Sequence, residues 1–192
     1  MPPRRPKDKG TDAERAVVRY LQANGFPQAE RRASNGNADR GDITGVPGIC
    51  WEVKYRDKMP GDGQINLWLI ETDVERRNAR ADVGVLVVRR PRAAVDAWWT
   101  VVPLWVVTYL QLMADRDEQG MPGFTGGADL YEIGSSDPTT SWMQTPIRIL
   151  LRDAVTLLRA AGYGEPLPDV TAMAEALEWL GLRPTVRARR RR

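Results

Sequence analysis

The chain alternates between stretches of helical and of strand-like apolar spacing. Ala13, Ala16, Val17, Tyr20 and Leu21 recur at the interval of one helix face, and Thr11 and Glu14 have the spacing of a capping box. A first helix is therefore expected to end near Asn24-Gly25. Residues 26–32 read as the start of an extended segment. Two short extended stretches follow, joined by a Gly/Pro turn at Gly45, Pro47 and Gly48, which is the pattern of a hairpin. Leu67, Ile70 and Val74 form the apolar stripe of a second helix, with Glu71, Asp73, Glu75, Arg76 and Arg77 on its other faces. Residues 83–88 are continuously apolar and β-branched, the signature of a central strand buried on both faces. Residues 97–102 predict another strand before Pro103 opens a third helix through about Met113.

Farther on, Thr145 has the character of an N-cap and Pro146 that of a first-turn residue. Ile147, Leu150, Leu151, Ala154, Leu158 and Ala161 then make a helical stripe that Gly162 stops. A last helix is expected over 170–180. The mixed order of helices and strands points to an α/β, three-layer domain, with a short mixed sheet flanked by helices and a C-terminal helical extension. The expected divisions are a flexible basic arm (1–8), a core (9–113), a linker or lid (114–144) that holds a brief strand at 130–133, the helical extension (145–182) and an arginine-rich tail (183–192).

Composition narrows the chemistry. The 192 residues suffice for one well-buried core. Histidine is absent and Cys50 is the only cysteine, which removes His-based acid/base catalysis, Ser-His-Asp and Cys-His arrangements, zinc-thiolate clusters and disulfides. Hydrolysis would have to rest on carboxylates, lysine and a hard metal. The net charge is +3, but Arg187, Arg189, Arg190, Arg191 and Arg192 supply five positive charges, which leaves about −2 on the rest. Such a tail suits phosphate backbones or is simply solvated. With no long apolar run and no apolar stretch near Met1, a protein of the cytoplasm of a prokaryotic or phage-infected cell is expected, without a membrane partner.

The chemistry-bearing residues concentrate at 41–54. Folding the hairpin brings Asp42 toward Glu52-Val53-Lys54. Strand alternation then sends Glu52 and Lys54 to one face, and Trp51, Val53 and Tyr55 to the other. Two acids and an amine at one edge suit metal-dependent phosphodiester hydrolysis, because Mg²⁺ prefers oxygen ligands. Asp42 and Glu52 would hold the ion, the backbone carbonyl of Val53 would supply a further oxygen, and Glu14 would add a ligand directly or through water. Lys54 would orient the attacking water and offset developing charge. Blander roles stand beside these: an Asx-turn residue for Asp42, an exposed strand pair for Glu52 and Lys54, helix capping for Glu14, and a solvated basic face for Arg31, Arg32 and Arg40.

Taken in order, Lys9-Gly10, Ala13-Glu14-Arg15, Gly25-Phe26, Arg31 and Arg32 ahead of Ser34-Asn35-Gly36, Gly41-Asp42 and Glu52-Val53-Lys54 resemble the archaeal-type Holliday junction resolvases of the PD-(D/E)XK nuclease superfamily. The resemblance covers about residues 8–108. It implies a restriction endonuclease-like fold, usually a homodimer, that uses Mg²⁺ (with Mn²⁺ able to substitute) to nick paired strands of a four-way DNA junction. Glu14, Asp42, Glu52 and Lys54 match the metal and catalytic set. Lys9, Arg15, Arg31, Arg32, Ser34 and Arg40, with the tail arginines, are the DNA contacts expected on this reading. Gly41 stands where the superfamily has its proline, and the family's aromatic residues on the second helix have no counterpart between Val74 and Arg80. Alternatives are another nuclease of the superfamily, of restriction type or a repair exonuclease, and a non-catalytic DNA-binding protein that keeps the fold.

Overall fold

A computed structural model describes residues 6–33, 39–114 and 143–165. Helix α1 (Pro6–Ala23) starts earlier than the capping-box spacing predicts, with proline in the first turn, where its missing N–H leaves no bond unmade. Thr11 and Glu14 thus lie inside the helix and form no capping box, and residues 6–8 belong to α1 rather than to an arm. Its buried face is Ala13, Val17, Val18 and Leu21, with Ala16 and Tyr20 packed at its margin, as the periodicity predicts.

The strands are β1 (Glu30–Arg31), β2 (Ile43–Thr44), β3 (Ile49–Lys54), β4 (Val83–Val88), β5 (Trp99–Pro103) and β6 (Pro146–Leu150), side by side in chain order in one six-stranded sheet. β3 and β4 are parallel, as their connection through α2 (Asp62–Ala79) requires, and the other pairs are antiparallel. The fold is therefore α/β, with a mixed sheet flanked by helices. β4 is central and buried along its whole length.

Alternation divides the sheet into two unlike faces. Trp51, Val53, Val83, Val85, Val87 and Val102 join α1, α3 (Leu104–Ala114) and α4 (Leu151–Ala160) in the larger apolar core. On the opposite face Leu86, Val88 and Val101 pack against Ile65 and Trp68 of α2. Cys50 is buried, and burial pushes its thiol up to about 12.

Two expectations are overturned. The stripe Leu67, Ile70 and Val74 faces solvent, at 57%, 63% and 48% exposure, while Ile65, Trp68, Thr72, Glu75 and Arg76 turn inward. The side chains α2 must cover include Glu52 and Lys54, so a polar helix face is selected there. Thr72 also fits beside Gly84, where an added Cβ would stand 3.2 Å from the threonine methyl. The second correction concerns residues 146–150. Instead of the first turn of a helix starting at Thr145 they form edge strand β6, paired with β5 from Trp99↔Leu150 to Pro103↔Pro146. β5 has backbone groups to satisfy on that side, and Ile147, Arg148 and Ile149 alternate as a strand does. α4 follows directly and buries Leu151, Ala154, Val155 and Leu158 in the core, so residues 146–160 complete the domain rather than extend it. The expected strand at 130–133, the helix at 170–180 and the arginine tail lie outside the described residues. No helix among the described residues is long and apolar enough to cross a membrane.

Candidate active site

The expected hairpin is present. β2 and β3 pair at Ile43↔Trp51, and the Asp42 N–H extends the ladder by donating to the Trp51 carbonyl at 2.7 Å. The chain reaches Asp42 through Gly41, whose φ is 83°, and a Cβ there would stand 2.6 Å from the Trp51 carbonyl oxygen. Proline, fixed near φ −65°, cannot take this conformation. Glycine at this position is therefore a requirement of the local backbone.

Asp42 is held by a hydrogen bond from the Val53 N–H to its Oδ2 at 2.8 Å. Two residues along the same face of β3, Glu52 and Lys54 form an ion pair, with Nζ 2.7 Å from Oε1. Lys54 Nζ also lies 3.1 Å from Glu71 Oε2 on α2, so the ammonium is clasped between strand and helix. One turn on, Glu75 is 6% exposed, as is Glu52. The two carboxyls crowd each other, and Glu75 Oε2 is buried with no hydrogen-bond partner among the described residues. Glu14 enters from α1, where Arg31 Nε donates to its Oε2.

The electrostatics follow from burial and crowding. Asp42 is pushed up to about 8, first by burial and then by the Glu52 charge, against the opposing pull of the Val53 N–H. Glu52 rises to about 7 through burial and the Glu75 charge, which outweigh Lys54. Burial also raises Glu75. Burial alone would lower Lys54, but Glu52 and Glu71 reverse this and hold the ammonium charged. The site thus concentrates more carboxyl groups than its one lysine can neutralise.

That imbalance is the test of whether a divalent cation fits. Asp42 and Glu52 offer hard oxygen donors, and their mutual repulsion is relieved by a cation. Among the described residues, no three His, Cys, Asp or Glu side chains are arranged as a group that could hold a metal ion. Asp42 and Glu52 stand as a pair of neighbouring carboxyls. Glu14 is engaged by Arg31, and Val53 meets the site through its N–H.

The remaining expected residues are dispersed. Lys9 pairs with Asp57 at 3.1 Å and lies 5.6 Å from the Tyr55 ring centroid. Arg15 is exposed, 3.9 Å from Asp12. Arg32 donates to the Gly41 carbonyl at 3.1 Å and so braces the turn before Asp42. Arg40 is exposed, and its carbonyl accepts from the Cys50 thiol at 3.4 Å. Ser34 and the tail arginines lie outside the described residues. Glu71 and Glu75 are the site residues that sequence reasoning missed. Their i,i+4 spacing places them on one helix face and was the available signal, but the apolar stripe on the opposite face drew the assignment. Comparison with family models, with characterised proteins and with solved structures finds no match to this chain.

Proposed function

We propose that this chain is a divalent-cation-dependent endodeoxyribonuclease with a restriction endonuclease-like core, acting as a homodimer on four-way DNA junctions. The observation that carries the reading is the gathering of Asp42, Glu52 and Lys54 at one sheet edge, two carboxyls above their ordinary range beside a charged lysine. The element order, with a hairpin, a helix crossing to a parallel central strand and a Trp-containing strand after it, supports the same reading.

Mg²⁺, or Mn²⁺ in its place, is the cofactor this donor set fits, with Asp42 and Glu52 as its ligands. When bound, it supplies Lewis-acid stabilisation of charge on the phosphoryl oxygens. The chain's own residues do the rest. The Val53 N–H fixes the Asp42 carboxyl, and Glu71 steadies Lys54 from the helix side. The Lys54 ammonium donates hydrogen bonds to oxygens on which negative charge develops. Junction selectivity rests on the family resemblance. The exposed stripe of Leu67, Ile70 and Val74 is the surface we assign to the second copy.

The test is cleavage of a four-way junction, a fork and a linear duplex side by side, with and without Mg²⁺. Paired nicks in the junction and a spared duplex are expected. Equal cleavage of all three transfers the reading to a restriction-type or repair nuclease. Asp42→Asn and Glu52→Gln should each lower the cleavage rate by at least about a hundredfold while junction binding persists. Wild-type rates in both variants would remove the site assignment.

A further inference from the structure

Outside the carboxylate site, the same face of the sheet carries a second organised group. The strand registers form two rows that run across it. Lys54 is level with Val88, Trp99 and Leu150, and Glu52 is level with Leu86, Val101 and Arg148. At about 4.8 Å per strand, Trp99 stands roughly 10 Å from Lys54, and Arg148 roughly 14 Å from Glu52. Two guanidinium groups converge on the Trp99 ring, Arg90 at 5.0 Å and Arg148 at 5.9 Å from its centroid.

Two like charges at one half-buried ring repel each other, and little nearby offsets them. Among the described residues Arg90 makes no ion pair, and Arg148 has only Asp62, at 3.3 Å. That bridge joins two well-exposed side chains and is worth little in water, so a phosphate can displace it. Stacking on an aromatic face holds a guanidinium flat while leaving its in-plane N–H donors free for a bidentate phosphate contact. Beside Arg148 is an open groove of about 360 Å³ lined by Ile65, Val101 and Pro146 together with Asp62 and Asn66, a mixed surface with room for a sugar or base edge.

α2 covers the sheet between the two groups with Ile65 and Trp68, so a polyanion reaching both would have to pass around the helix. One more stacked arginine lies on this side of the sheet, Arg56 at 5.1 Å from the Trp68 ring centroid. We propose that Arg90, Trp99 and Arg148 form a stacked-arginine clamp for the DNA backbone, on the same sheet face as Glu52 and Lys54 but apart from them. The inference rests on the nuclease reading and adds to it a binding surface remote from the reacting group.

The experiment measures affinity of the full chain carrying Asp42→Asn for a labelled four-way junction over a series of salt concentrations. Arg90→Gln with Arg148→Gln should weaken binding by about tenfold and lower the slope of log affinity against log salt by about two, one phosphate contact for each arginine. Arg90→Lys with Arg148→Lys should keep most of the slope yet still lose affinity, because lysine lacks the planar stack. Arg152→Gln, on α4, should leave both quantities unchanged. An unchanged slope and affinity in the glutamine pair overturns the clamp, and so does parity of the lysine pair with the parent, whereas cleavage by the chain with native Asp42 would still support the nuclease reading. If the parent binds no junction at low salt, the junction assignment falls and the clamp with it.

Discussion

The two faces of the sheet are built from alternate residues of the same strands, yet they follow opposite rules. On the α1, α3 and α4 side, Trp51, Val53, Val85 and Val87 belong to the larger apolar core. On the α2 side, Glu52 and Lys54 meet Glu71 and Glu75, and only the part of the face nearer β5 is apolar. One face supplies stability, and the other spends some of it on a crowded set of charges. A single six-residue strand, β3, belongs to both.

The largest effect that would sharpen this contrast is expected from Trp51→Ala. The side chain is fully buried on the apolar face, and its loss should destabilise the fold by about 3–5 kcal/mol, read by chemical denaturation. A cost below about 1 kcal/mol would mean that this face is not the stabilising one.

On the other face, stability should depend on pH in the opposite sense to that of most acidic groups. Asp42 and Glu52 titrate near 8 and 7 when folded, against 3.8 and 4.5 ordinarily. Between those limits the folded chain holds more protons than the unfolded one, so stability is full below about pH 4 and falls as pH rises toward about 8. Melting curves in chelator from pH 5 to 9 should show this decline. Asp42→Asn should flatten it and raise the melting temperature at pH 8. A melting temperature that climbs with pH over this range would contradict the assigned electrostatics.

The smallest effect on stability should come from Ile70→Lys on the outer face of α2. Its side chain is largely exposed, so the change should stay within about 0.5 kcal/mol. If the stripe joins two copies, the same substitution should shift the molecular mass in solution from dimer to monomer. A dimer that persists would exclude this surface from the contact.

Legibility in the sequence followed the same division. Helix α1, the hairpin, β4, β5 and α3 were readable because their apolar spacing matches their burial. The grouping of Asp42, Glu52 and Lys54 was readable because a short hairpin and period-two alternation suffice to bring them together. The orientation of α2 was not, since it carries apolar residues on two faces and the choice was made by the charges beneath it. Residues 146–150 were misread as helix because a short apolar run fits either period, and only the open edge of β5 decides between them.

By itself, then, the sequence determined the local framework: a mixed α/β order, a hairpin, and two acids and a lysine on one edge. The tertiary structure decided what surrounds them. It brought Glu71 and Glu75 across from α2, tied Glu14 to Arg31, required glycine before Asp42, and set Arg90 and Arg148 around Trp99 on the same sheet face. The physical reason is the range of the interactions. Hairpin geometry is settled within a dozen residues, whereas the partner of a buried charge is chosen by whichever element packs over it, however distant in the chain.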